Sequence, residues 1–254
     1  MQFRHIRHAT FIIGMNGKKI LVDPMLGRKG SMEPIQDVPD KGWNPTAELA
    51  VPIETILDYD IAIITHLHRD HFDEAASKLL PKERPVLCQP EDEKKLKELG
   101  FEKVYAVHDS SEWEGVSITR TTGRHGHGAT ALKLDPVSGF VLSAPGEPVV
   151  YITGDTVYYS CIEKALERYK PDVVICFSGE ARFRYGKPIT MNARDILSVC
   201  SKLPGARVLC VHMEAWNHCR LKRKALSDFA TYNGIGGQVH IPFDGELMEL
   251  KPAE

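Results

Sequence analysis

Ile61–Ala76 reads IAIITHLHRDHFDEAA: an apolar β-branched run, then three histidines and an aspartate within six residues, then helix-forming residues. Ile61–Thr65 predicts a buried strand and Phe72–Leu80 a helix. The HLHRDH stretch between them therefore sits at a strand's carboxyl end, where open α/β sheets carry their sites. A lone histidine is usually a surface or core residue, but this density in one loop has few structural uses. In extended or irregular backbone His66 and His68 point to the same side, where their imidazoles can share a metal, and Asp70 and His71 turn toward a neighbouring position.

Working outward, three further donors stand where predicted strands end: His125 in TTGRHGHG, Asp155 in VVYITGDTVYY and His212 in RVLCVHMEAW. Each alone is a weak signal, but together they supply a second set of metal ligands. Two alternatives stay open. His127 points the same way as His125 if that segment is extended, and His218 competes with His212.

Upstream, Thr10–Ile13 and Lys19–Val22 flank Asn16-Gly17, a pair suited to a tight hairpin turn. From Leu26 to Pro52 the chain is rich in Gly, Pro and polar residues, which predicts a long irregular segment of the kind that borders binding sites. Downstream strands are predicted at Val86–Cys88, Val104–Val107, Val116–Thr121, Ala131–Leu134, Val149–Thr153, Val173–Cys176 and Val208–Val211. Helices are predicted at Glu91–Gly100, Ile162–Tyr169, Ala193–Lys202 and Leu221–Tyr232. Two sheets with outer helices satisfy that order, with Pro145–Pro148 as the junction between the halves.

The 254 residues are 43% hydrophobic, enough for one compact domain spanning 1–254. A formal net charge of -2 leaves no global basic field, so no nucleic-acid partner is expected. The six cysteines form no C-x-x-C pair and read as buried free thiols in a reducing compartment. The start lacks the features of a signal peptide, and no apolar run approaches the roughly 20 residues that span a bilayer. The expectation is a soluble, cytoplasmic protein without a membrane partner; its oligomeric state is not readable.

The order H-x-H-x-D-H, then His, then Asp, then His resembles the metallo-β-lactamase superfamily. LVDPML resembles its first motif, which implies that Asp23 supports the metal loop rather than binding metal. Within the superfamily, NPTAEL, THLHRDHFDEAA, GRHG, TGDT and HMEAWNHC look like the ascorbate-6-phosphate-lactonase-like branch. The resemblance covers nearly the whole chain and implies an α/β fold, the four-layer αββα sandwich, with a dinuclear site at one edge of the sheets. It also implies that His66, His68 and His125 hold one metal, that Asp70, His71 and His212 hold the other, and that Asp155 bridges them.

Two divalent ions, zinc by default with manganese or iron as alternatives, would generate hydroxide at neutral pH. The expected chemistry is hydrolysis of a lactone or other ester, with Asp70 orienting the hydroxide or relaying its proton. Phosphodiester or cyclic-nucleotide hydrolysis is the alternative enzyme reading, and a metal-dependent binding or sensing module without turnover is the non-enzyme one. Arg124, Arg182, Arg184, Tyr185 and Lys187, near predicted site loops, are candidates for holding an anionic small-molecule substrate. His218 is a further candidate, as a second support or substrate contact.

Overall fold

The computed structural model describes residues 1–251. Strands β1 (Gln2–Arg7), β2 (Thr10–Met15) and β3 (Lys18–Val22) form an antiparallel meander. Asn16 and Gly17 make the second turn with φ of 50° and 72°, the left-handed pair that a tight hairpin requires. After an irregular stretch the chain alternates α1 (Ile53–Leu57), β4 (Ile61–Ile64), α2 (Glu74–Leu79), β5 (Val86–Cys88), α3 (Glu93–Glu98) and β6 (Val104–Ala106). Strands β3 to β6 run parallel, edge to edge.

The second sheet begins with β7 (Ser110–Trp113) and β8 (Val116–Thr122), followed by α4 (Ala129–Leu134), β9 (Ser138–Ser143) and β10 (Val150–Ile152). It continues through α5 (Ser160–Tyr169), β11 (Val173–Phe177), α6 (Ala193–Lys202), β12 (Arg207–Val211), α7 (Arg223–Tyr232) and β13 (Val239–His240). The last strand, β14 (Leu247–Glu249), returns to pair antiparallel with β1, so each sheet has seven strands.

The period-two side-chain alternation of the central strands builds the layers. Val173, Ile175 and Phe177 of β11 face the core shared by both sheets, with Ile20, Val22, Ile61 and Ile63 across from them. The intervening Val174 and Cys176 pack instead against Ile162, Leu166, Ile196, Val199 and Leu226 of the outer helices. On the far side Leu21, Ala62 and Ile64 meet Ile56, Ala76 and Leu96. Burial on both faces explains why these strands read as continuous apolar runs. The architecture is the αββα sandwich of the α/β class.

Several expectations are corrected. Ala131–Leu134 lies in helix α4, not a strand; Ala, Leu and Lys are strong helix formers without β-branching, and the neighbour of β8 is β9. Pro145–Pro148 is the turn between β9 and β10 of one sheet, and the chain changes sheets between β6 and β7. Cys161 is exposed, while the other five cysteines are buried and all six are free. Strands β1, β7, β9, β13 and β14 escape the sequence reading: β7, β13 and β14 are short edge strands, whereas β1 and β9 lie inside their sheets, β9 almost wholly buried between β8 and β10. No helix among the described residues is long and apolar enough to cross a membrane.

The irregular segment after β3 is pinned by buried polar groups. The Arg7 guanidinium donates to the carbonyls of Met25 at 2.8 Å, Gly27 at 2.9 Å and Ala47 at 2.8 Å. Asp73 accepts from Leu26 N–H at 3.1 Å and Gly27 N–H at 2.6 Å, and caps α2 through Ala76 N–H at 2.7 Å. Asp73→Ala strands these donors and removes the cap, so it should destabilise the fold by about 2–4 kcal/mol. Denaturant titration checks this, with a lowered midpoint and an unchanged slope as the expected outcome.

Candidate metal centre

Strand β4 ends at Ile64, and the loop that follows is organised by a carboxylate from the end of β3. Asp23 accepts from Thr65 N–H at 2.7 Å, from the Thr65 hydroxyl at 2.8 Å and from His71 Nδ1 at 2.8 Å. Having given its only proton to Asp23, the Thr65 hydroxyl accepts from His66 Nδ1 at 3.1 Å. His125, in the loop after β8, donates from Nδ1 to the carbonyl of Ile189 at 2.9 Å. A carbonyl and a carboxylate only accept, so all three rings must carry their proton on Nδ1 and turn an Nε2 lone pair inward.

His66 Nε2 is met by His68 Nδ1 at 2.9 Å, and the lone pairs of His71 and His125 meet a carboxylate. Asp155, after β10, has Oδ2 at 3.3 Å from His71 Nε2, 3.3 Å from His125 Nε2 and 4.0 Å from His66 Nε2. Its Oδ1 lies 3.2 Å from His212 Nε2, which is itself 3.2 Å from His71 Nε2. Both carboxylate oxygens are buried without a hydrogen-bond partner. Acceptors facing acceptors in a buried space repel unless positive charge sits between them, and protons or metal ions are the two ways to supply it.

Treated as proton sites, the groups respond accordingly. Burial opposes charge on His71, but Asp155, Asp70 and Asp23 raise its pKa well above the usual imidazole range. Burial is likewise outweighed at His212, which Asp155, Cys219 and Asp70 push up to about 10. Against the same burial, His212, His71 and His125 hold the Asp155 carboxyl well below its usual value. Burial, with the neighbouring rings adding to it, lowers His66.

Three groups have ligand atoms within 4.8 Å of one another: His8, His212 and Cys219; His66, His68 and His125; and Asp70, His71, Asp155 and His212. The last two hold the seven residues singled out in the sequence, and Asp155 touches both of these sets. His127 is exposed and outside both groups, whereas His125 is buried. His218 is buried with Nε2 3.8 Å from Asp70 Oδ2, but belongs to neither. Nitrogen and oxygen donors in this mixture suit zinc, manganese or iron.

The remaining candidates are dispersed. Arg124 stacks on Tyr159 at 4.5 Å and keeps a buried, unpartnered Nε. Arg182 pairs with Glu180 at 3.7 Å. Arg184, Tyr185 and Lys187 are exposed. Sequence reading misses two residues at the centre. The buried ring of His8 lies against His212 with centroids 3.8 Å apart and Nε2 3.5 Å from Asp70 Oδ2, and Cys219 Sγ lies 3.8 Å from His212 Nδ1. Nothing in RHATF or NHCRL distinguishes them from core residues.

Because His71 and His212 hold protons that a metal must displace, divalent metal uptake should release protons, and affinity should fall as pH drops. Calorimetric titration with zinc in two buffers of different ionisation enthalpy measures this. Uptake without proton release would contradict the proposed proton occupancy.

A family model described as Beta-lactamase superfamily domain matches residues 18–213. The UPF0173 protein YddR of Bacillus subtilis is 36% identical over 250 residues, covering 97% of this chain and 98% of its own length. A UPF0173 metal-dependent hydrolase of Methanocorpusculum labreanum is 27% identical over 222 residues, covering 85% of this chain and 84% of its own. The crystal structure of isothiocyanate hydrolase from Delia radicum gut bacteria superposes with a TM-score of 0.94 at 35% identity, covering 99% of this chain and 100% of that one. With these likenesses extending over nearly its whole length, the chain belongs to the β-lactamase superfamily, in the UPF0173 group of metal-dependent hydrolases.

Proposed function

We propose that this protein is a dinuclear, zinc-type hydrolase that adds water to the electrophilic carbon of a small uncharged substrate, with isothiocyanates as the first class to test. The observation that carries the reading is the convergence of inward Nε2 lone pairs on the buried, unpartnered carboxylate of Asp155. His66, His68 and His125 would hold one ion, Asp70, His71 and His212 the other, and Asp155 both. Bound there, the ions supply a water of near-neutral pKa and polarise the substrate.

The chain's own residues do the rest. Asp70 Oδ2 is ringed by His212 Nε2 at 3.4 Å, His8 Nε2 at 3.5 Å and His218 Nε2 at 3.8 Å, which orients its carboxylate toward the attacking water. Burial brings His218 down to about 4, so it is neutral at physiological pH and stands beside Asp70 as an uncharged polar contact for substrate. For an isothiocyanate, water addition at carbon followed by C–N cleavage yields an amine and carbonyl sulfide.

The uncharged substrate is favoured by an apolar cluster beside the centre. Trp216, Ala181, Ile189 and Cys219 pack with the partly exposed Met32, Ile35 and Phe183. Ile189 supplies the carbonyl that holds His125, and the Trp216 ring lies 6.0 Å from His218. A second reading, hydrolysis of an anionic lactone or phosphodiester, is favoured by one feature. Arg124 and Lys187 both bear electrostatically on His127, which makes a cationic patch in and around the His125 loop. The binding-module reading predicts a loaded centre without turnover.

Elemental analysis of purified protein should find about two equivalents of divalent metal, falling in His66→Ala and Asp155→Ala. With the resident metal, an aryl or alkyl isothiocyanate should be turned over in preference to a lactone panel, bis-p-nitrophenyl phosphate and cyclic nucleotides. Arg124→Ala should change isothiocyanate kcat/KM by less than about tenfold, the effect of roughly 1.4 kcal/mol. Turnover confined to anionic substrates, with a larger loss in Arg124→Ala, would establish the second reading instead.

A further inference from the structure

Metal-binding imidazoles are normally oriented by a hydrogen bond at the ring nitrogen that does not face the metal. Three rings of this centre have an oxygen partner there: Asp23 for His71, the Thr65 hydroxyl for His66 and the Ile189 carbonyl for His125. His212 has none. The polar atom near its Nδ1 is Cys219 Sγ, at 3.8 Å.

The surroundings leave that contact to decide the ring's setting. The ring of His212 lies against that of His8, centroids 3.8 Å apart with planes tilted by 38°, and near that of Phe177, at 5.6 Å with planes 17° apart. Ring contacts of this kind do not distinguish the ring from its half-turned form, in which a carbon replaces the inward nitrogen. The backbone is set with equal care. His212 N–H donates to the His8 carbonyl at 2.8 Å, and His212 itself takes φ of 60°. Gly179 permits the approach of the thiol, since a Cβ there would lie 2.8 Å from Cys219 Sγ and 2.2 Å from the His212 carbonyl oxygen. The thiol is buried and also lies 3.7 Å from the His212 carbonyl oxygen and 4.0 Å from His218 Nδ1.

We propose that Cys219 is the positioning residue of His212: its thiol donates to the His212 carbonyl, and its sulfur accepts the Nδ1 proton, which keeps Nε2 turned toward Asp70 and Asp155. The inference rests on the reading that His212 holds the second metal. It assigns a soft, weak outer partner to that position.

The test is stepwise metal removal by a competing chelator from the loaded parent protein, Cys219→Ala, Cys219→Ser and His212→Ala, with thermal unfolding of each metal-free protein as a control for folding. In Cys219→Ala the first equivalent should be retained and the second bound about 10–100-fold more weakly, the usual cost of losing an outer-shell partner. Cys219→Ser, which keeps an acceptor, should lie close to the parent. Equal second-site affinity in Cys219→Ala and the parent overturns the proposal, provided that His212→Ala loses the second equivalent. Retention of both equivalents in His212→Ala overturns the ligand assignment itself. Ring-nitrogen NMR of the zinc-loaded parent gives a readout that depends on no variant folding. A slowly exchanging Nδ1–H at His212 is expected, and a protonated Nε2 would sink the idea.

Discussion

The carboxylate of Asp23 is the tie on which the centre depends. It sits fully buried at the end of β3 and joins that strand to the loop after β4 by accepting the backbone N–H and hydroxyl of Thr65 and the Nδ1 proton of His71. One side chain thereby sets the path of the loop, the tautomer of His71 and, through the Thr65 hydroxyl, that of His66. Asp73 does the same work one turn later, since it caps α2 and holds the backbone of Leu26 and Gly27. The two aspartates hold a loop with four metal-type donors in one conformation, so little ordering remains to be done when a ligand arrives.

Around that loop the fold concentrates charge that only protons or metal ions can balance. His125, Asp155 and His212 arrive at the carboxyl ends of β8, β10 and β12 of the second sheet, and Asp155 meets His71 of the first sheet's loop at 3.3 Å. Strain gathers in the same place. Asp23, His212, Glu214 and Glu180 take φ between 42° and 62°, a region that side chains other than glycine's rarely enter. The sheets' continuous apolar cores hold these residues in conformations they would not choose alone.

The region beside the centre divides in character. An apolar cluster around Trp216 and Ile189 lies next to His218 and His125, while most of the cations near it are exposed or paired with acids. Desolvation of a small neutral electrophile there costs little, whereas burying a phosphate would demand charges that stand mainly in water. The long segment from Leu26 to Pro52 folds over this side, and Asn44 and Asn217 lock it to the HMEAWNHC stretch by reciprocal buried hydrogen bonds of 2.9 and 3.0 Å.

The HLHRDH stretch was decisive in the sequence because its four donors lie in one short loop, where strand-end geometry alone puts them together. The two-sheet order was legible for a related reason, since strands buried on both faces must be apolar throughout. What the sequence could not decide was pairing at a distance. Ala131–Leu134, read as a strand, is helical, with β9 in the place beside β8, and the choice of His125 over His127 depends on a carbonyl 64 residues away. Besides Asp23, whose supporting role the LVDPML resemblance implied, the partners that orient the ligands are a backbone oxygen, a threonine hydroxyl and a buried thiol, groups that every sequence contains in plenty. Composition and spacing therefore determined which residues can bind metal, while the tertiary structure decided which nitrogen each one presents, because a tautomer is set by the atom on the far side of the ring.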